Sequence, residues 1–176
     1  HSKLLSPQAI LTRLQDRFKL LRSNVRDLPD RQRTLRAAID WSYELLTPDE
    51  QTLFRRLAVF VGGRTLEAIE AVCNPPDHPA LPPLAIDVLD GLTALIDKSL
   101  LYQTEGSGEL RFLMMATLYE YAAERLSEHG EVEPLQRQHA TYYLSFVEQA
   151  EQALRGPEQK SWFDRLESEH DNIRAA

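Results

Sequence analysis

At 176 residues the chain is long enough for one or two domains with a real buried core. Hydrophobic content of 43% and charged content of 27% are those of an ordinary globular protein, and a formal net charge of -7 excludes a global field drawing it to nucleic acid or anionic membrane. A single cysteine, Cys73, excludes an internal disulfide framework and fits a reducing compartment, so a cytoplasmic location is expected. No run approaches the ~20 apolar residues of a membrane span, and no signal-peptide pattern opens the chain. His1-Ser2-Lys3 lacks an initiator Met, so a piece of a longer protein is expected.

Ser6-Pro7 reads as a helix start, with Ser at the N-cap and Pro where its missing N–H costs nothing. Ile10, Leu11, Leu14, Phe18 and Leu21 follow at helical spacing, and Leu28-Pro29-Asp30 reads as a linker. A second helix, about residues 31–46, places Leu35, Ala38, Ile39, Ser42, Leu45 and Leu46 on one face with Trp41 flanking it. Its first turns carry Arg31, Arg33 and Arg36, the wrong sign for the local helix dipole. Thr47-Pro48-Asp49-Glu50 is a capping box with Pro at N1. Leu53, Phe54, Leu57, Ala58 and Val61 then line one side until Gly62-Gly63 ends the helix.

Thr65 caps a short helix with Leu66, Ile69 and Val72 on one face. Residues 74–83 hold five of the ten prolines and read as an exposed loop, with His78 facing solvent. The next helix, about residues 84–98, carries Leu84, Val88, Leu89, Leu92, Leu95 and Ile96 on one stripe. Two strands over residues 100–104 and 109–114 flank Glu105-Gly106-Ser107-Gly108 as a hairpin turn. A helix from near Met115 turns Leu118, Tyr121, Ala122 and Leu126 inward. Helix-turn-helix followed by a hairpin is the order of a winged helix. Beyond Gly130, a long amphipathic helix carries Leu135, His139, Tyr142, Tyr143, Phe146, Val147, Ala150 and Leu154. Gly156-Pro157 breaks it before a helix with Trp162, Phe163 and Leu166, and a last helical segment covers residues 171–176. The predicted fold is mainly α: a winged helix followed by antiparallel helices that open a helical-repeat array.

Catalytic motifs are missing. None of the seven glycines precedes a Lys, so there is no phosphate loop of the form GxxxxGK[ST]. One Cys and five scattered His residues do not make a zinc site, and HExxH and GxSxG are absent. Gly106-Ser107-Gly108 is better explained as a turn than as a nucleophile, and His139 on its apolar face as a buried hydrogen-bonded side chain. His170 and Asp171 are neighbours in sequence and do not face each other on a helix.

The charges also bear on DNA. The second helix of a helix-turn-helix enters the major groove and offers Arg, Lys, Asn or Gln to base edges. Here it offers Asp87, Asp90, Thr93, Asp97 and the single Lys98, and the wing adds Glu105 and Glu109 against Arg111. DNA contact by this segment is therefore not expected, and protein contact is.

Several stretches carry a family resemblance: LSPQAILTRLQDRFKLL, RQRTLRAAIDWSYELLTPDEQTLFRRLAVFVGG, VLDGLTALIDKSLL, ERLSEHGE and RGPEQKSWFDRLESEHDNIRAA. Together they span nearly the whole chain and resemble large bacterial transcriptional regulators of the STAND class. Those are signal-transduction ATPases with an NB-ARC-like core, related to AfsR-type and LuxR-type regulators. The resemblance implies that residues 4–23 end the helical domain after the nucleotide-binding core. It makes 31–130 the winged helix and 131–176 the start of tetratricopeptide-like repeats.

In that family the winged helix is a latch on the nucleotide-binding domain, commonly through a Met-His-Asp motif whose His meets the β-phosphate. The corresponding residues here are Met114, Met115 and Ala116. Met114 keeps the first position, but Met115 and Ala116 replace the His and Asp and cannot donate a hydrogen bond to phosphate. Arg31, Arg33, Arg36 and Arg111 are the remaining candidates for phosphate-side contacts. No cofactor is expected on this segment, and ATP or ADP is expected in the full-length protein. The implied partners are the nucleotide-binding domain of the same chain and proteins met by the helical repeats.

The expected function is intramolecular switching, with no catalysis by this segment. One alternative is a DNA-binding winged helix, which needs a basic surface built from Arg31, Arg33, Arg36, Arg55, Arg56 and Arg64. The other is a structural helical adaptor, in which the wing strands should be absent or the hairpin disordered.

Overall fold

A computed structural model describes residues 31–106 and 109–176, with only the backbone described for 31–33. The helix expected within 4–23, and Ser107 and Gly108 of the hairpin turn, lie outside the described residues. Helix α1 runs over Arg31–Glu44. Ala38, Ile39, Ser42, Tyr43 and Leu46 are buried, but Leu45, expected inside, is exposed together with Trp41. Leu45 and Leu46 lie in the turn after α1, where Leu46 enters the core and Leu45 stays in solvent.

Helix α2, Pro48–Arg56, begins on the expected capping box. The Glu50 N–H donates to Thr47 Oγ1 at 3.3 Å, and the Thr47 N–H donates to Glu50 Oε1 at 3.1 Å. The helix does not continue to Gly62. It tightens into a 3-10 turn over Leu57–Val59, after which Phe60 is extended and Gly62 takes φ +74°. That reversal sends Phe60 fully inward and leaves Val61 exposed, the opposite of the expected facing for Val61.

The chain then forms a strand the periodicity did not reveal, β1, Arg64–Thr65. Thr65 doubles as the cap of α3, Leu66–Cys73, accepting the Ala68 N–H at 3.2 Å. The proline-rich connection is pinned by buried Leu81 and Leu84, and His78 Nδ1 accepts the Ala80 N–H at 3.1 Å. Helix α4 is Val88–Asp97, shorter than the expected 84–98. Side chains from elsewhere take the backbone groups before it: Leu84 N–H donates to Asn74 Oδ1 at 2.9 Å and Ala85 N–H to Asp49 Oδ1 at 3.2 Å. Asp87 then caps the helix by accepting the Leu89 and Asp90 N–H groups. Gly91 lets α4 lie close against α2, since a Cβ there would meet Leu53 Cδ2 at 2.7 Å.

Strands β2, Tyr102–Gly106, and β3, Glu109–Leu113, pair antiparallel, so Glu105 and Gly106 belong to the strand and not to the turn. With β1 they make a sheet of order β1-β3-β2, in which Arg64 faces Phe112 and Arg111 lies between Thr65 and Thr104. The strands that the adaptor alternative required to be absent are present. Helix α5, Ala116–Glu128, buries Leu118, Tyr121, Ala122 and Leu126 as expected, and Gly130 follows its end at φ +70°.

Helices α6, Val132–Ala153, α7, Gln159–Ser168, and α8, His170–Ala175, fold back on the winged helix. Leu135, Tyr143, Phe146, Ala150 and Trp162 join the same apolar core as Leu53, Phe54 and Phe60. Aromatic contacts run through it in a line, Phe60 to His139, His139 to Tyr143, Tyr143 to Phe146 and Phe146 to Trp162. Val147 and Phe163, expected on inward faces, are exposed. Among the described residues no helix is long and apolar enough to cross a membrane.

Candidate functional site

In a winged helix the surface available for recognition is the outer face of the second helix together with the hairpin wing. The inner face of α4 buries Val88, Leu92, Leu95 and Ile96, which leaves Leu89, Asp90, Thr93 and Asp97 exposed. Asp87 is exposed just before them. Leu89, expected within the apolar stripe, thus belongs to the outer face. Lys98, at the end of the helix, pairs with Glu50 at 2.9 Å. On the wing Glu105 is exposed and Glu109 half-buried. The face presents carboxylates, one leucine and one threonine.

The arginines are elsewhere. Of the six that a basic surface required, Arg55, Arg56 and Arg64 are buried. Arg55 donates to the Tyr43 hydroxyl at 2.8 Å and to Thr52 Oγ1 at 3.2 Å. Arg56 pairs with Glu131 at 2.8 Å and donates to the Cys73 carbonyl at 2.8 Å. Beside it the Cys73 thiol is pushed up to about 12 by burial, so it stays protonated. Arg36 is half exposed and paired with Glu124 at 2.8 Å. The side chains of Arg31 and Arg33 lie outside the described residues.

Met114 and Met115 are half-buried against the core, and Ala116 is the exposed first residue of α5. Met115 is the N-cap of α5 and makes no side-chain cap bond. The segment brings Met114, Met115 and Ala116 together at a helix start, with thioether and methyl groups as its only side-chain chemistry. Arg111 is not near them in role. It crosses Gly63, where a Cβ would meet its Nε at 2.9 Å, and reaches the C-terminal helices.

There Arg111 Nη1 meets Glu169 Oε1 at 2.6 Å and Nη2 donates to the Gly63 carbonyl at 2.7 Å. The Tyr143 hydroxyl donates to the other Glu169 oxygen at 2.9 Å, and burial and that carboxylate push its pKa up, so the phenol keeps its proton. Asn172 donates to the same Gly63 carbonyl at 2.9 Å and accepts the Val61 N–H at 2.7 Å. His139 Nε2 lies 3.3 Å from Asn172 Oδ1, and burial lowers the His139 pKa, so the ring is neutral with its proton on Nε2. His139 is thus the buried, hydrogen-bonded side chain its position predicts. Glu169, Asn172 and Tyr143 were not singled out by sequence reasoning. Their signal was the EHDN run at 169–172, whose first and last members are both buried.

Comparison with known proteins agrees with the order of elements. Residues 46–127 match a family model described as a winged helix-turn-helix domain. That part of the chain is a winged helix. Proteins of Mycobacterium tuberculosis and Mycobacterium bovis, both bearing the provisional name of HTH-type transcriptional regulator, are 42% identical over 172 residues. The match covers 98% of this chain and 19% of each relative, so the chain spans about a fifth of their length. An uncharacterized Mycobacterium tuberculosis protein is 32% identical over 152 residues, covering 86% of this chain and 36% of that protein. No solved structure matches the chain.

Proposed function

We propose that this chain is the regulatory winged-helix portion of a larger transcriptional regulator, acting through protein contact and not by reading DNA. The observation that carries this reading is the outer face of α4. It offers Leu89, Asp90, Thr93 and Asp97 where a base-reading helix needs Arg, Lys, Asn or Gln. Carboxylates at that position would be repelled by phosphates, and among the described residues Arg55, Arg56 and Arg64 are buried and form no basic surface in their place.

The finer form of the proposal is an intramolecular switch. The winged helix would close on an NB-ARC-like nucleotide-binding domain of the same chain, which would bind ATP or ADP, and α6–α8 would begin a tetratricopeptide-like array that meets protein partners. The side chains of Met115 and Ala116 offer no hydrogen bond to a phosphate, so closure on that domain would rest mainly on packing. The full-length protein would be a STAND-type ATPase working in the cytoplasm.

The second reading is a DNA-binding winged helix. It is favoured by the winged helix-turn-helix match and by the names that the mycobacterial relatives carry. Fluorescence anisotropy with labelled random duplex DNA separates the two. The proposal expects no binding at tens of micromolar protein at low salt. Binding that weakens steeply between low and moderate salt would replace it with the DNA-binding reading.

A further inference from the structure

Among the described residues, the junction between the winged helix and α6–α8 contains one more buried positive charge than it neutralises. Arg111 and Glu169 cancel each other across it, with side chains 11% and 6% exposed. Arg64, on β1 beside them, is 1% exposed and has no ion pair among the described residues. Its Nη2 donates to the Leu57 carbonyl at 3.2 Å, while Nε and Nη1 find no acceptor among the described residues. Phe60 stacks on it at 5.6 Å, and Cys73, Tyr119 and Tyr143 are within electrostatic reach. Tyr143 belongs to α6, so the C-terminal helices are part of what encloses the charge. Burial, aided by the nearby Arg111 and opposed by Cys73, Tyr119 and Tyr143, lowers the Arg64 pKa to about 10.

A buried guanidinium without a carboxylate is disfavoured relative to the same group in water, and a motion that hydrates it relieves that cost. Such a motion is opposed by the Arg56–Glu131 pair and by the packing of Leu135, Tyr143 and Phe146 into the shared core, and beside Arg64 by two polar side chains. Glu169 holds Arg111 and Tyr143, and Asn172 holds Val61 and Gly63 on the loop before β1. Gly62, at φ +74°, and Gly63 give that loop backbone freedom.

We infer that this junction is a poised latch: Arg64 biases α6–α8 to lift from the winged helix, and the Glu169 and Asn172 contacts hold them down. Lifting would free Val61, Gly63 and Arg111 together, so the helical array and the wing strand β3 are mechanically coupled. This goes beyond the proposed switch against a nucleotide-binding domain and does not depend on it. The force here lies between two parts of the described chain.

The Val61 N–H reports the latch directly, because Asn172 Oδ1 is its acceptor. Hydrogen exchange of the 176-residue chain should be followed at Val61 and, as an internal control, at buried α2 positions Leu53 and Phe54. Arg64→Met keeps the aliphatic stem and removes the charge. It should slow Val61 exchange several-fold and leave the α2 amides within twofold. Glu169→Gln should speed Val61 exchange at least tenfold with the α2 amides again unchanged. Tyr143→Phe removes only the hydroxyl bond to Glu169 and should give a smaller acceleration, which keeps the test valid if Glu169→Gln fails to fold. Arg64→Met speeding exchange at Val61, or leaving it unchanged, would overturn the proposal. So would Val61 and the α2 amides moving together in the variants that fold, because the junction would then open only by global unfolding.

Discussion

The outer face of α4 and the junction with α6–α8 use charge in opposite ways. On α4 the carboxylates of Asp90 and Asp97 stand in solvent, where their interactions are screened and weakly coupled to folding. At the junction buried Arg56 meets half-buried Glu131, and half-buried Arg111 meets buried Glu169, and each pair ties the winged helix to the helices that follow. The contrast shows that exposed charge decides what may approach a domain, while buried charge decides how its parts are held. A winged helix can therefore keep its shape while its recognition face changes sign, which is why the fold alone does not imply DNA reading.

The largest effect that would sharpen this contrast is expected from Glu131→Ala. It leaves the Arg56 guanidinium, 1% exposed, without its carboxylate. Loss of about 3–5 kcal/mol is expected in urea unfolding. A loss under ~1 kcal/mol would place this pair with the surface charges and break the comparison.

The next effect is pH dependence. Burial lowers the His139 pKa below the free value of about 6.5, so the unfolded chain binds the proton first as pH falls. The His139 contribution is therefore complete above about pH 7 and declines as pH falls through 6.5, by at most ~1.4 kcal/mol per pH unit. Urea unfolding at pH 7.5 and 5.5 should show this decline, and His139→Gln should flatten it. An unchanged slope in that variant would assign the decline to other groups.

Asp87→Ala tests the one α4 carboxylate with a structural duty, because it caps the helix. A loss of about 1 kcal/mol is expected, read as a lower urea midpoint. Smallest of all should be Asp90→Asn with Asp97→Asn, both exposed, at within ~0.5 kcal/mol. Should that pair cost several kcal/mol, the acidic face would be part of the fold and not a free surface.

Local chemistry made much of this fold legible. The Thr47–Glu50 capping box, the Thr65 cap, the inward residues of α5 and the break at Gly130 all follow from interactions within a few residues. The winged-helix order and the acidic recognition face were readable for the same reason. Periodicity failed where one turn decided the facing. Leu45, Val61 and Leu89 each sit beside a residue that took the inward place. The two-residue strand β1 was too short to show a period, and only its pairing with β3 defines it.

The amino-acid sequence by itself determined which segments form helices, the Thr47 and Thr65 caps, the hairpin and the sign of the exposed outer face of α4, because each depends on neighbours along the chain. Tertiary structure alone decided the fate of the arginines. Arg56, Arg64 and Arg111 look alike in a list of charges, yet one is paired across 75 residues, one is buried without a carboxylate and one crosses a glycine to Glu169. Partners so far apart in sequence meet only when the C-terminal helices dock, and desolvation then sets what each charge does.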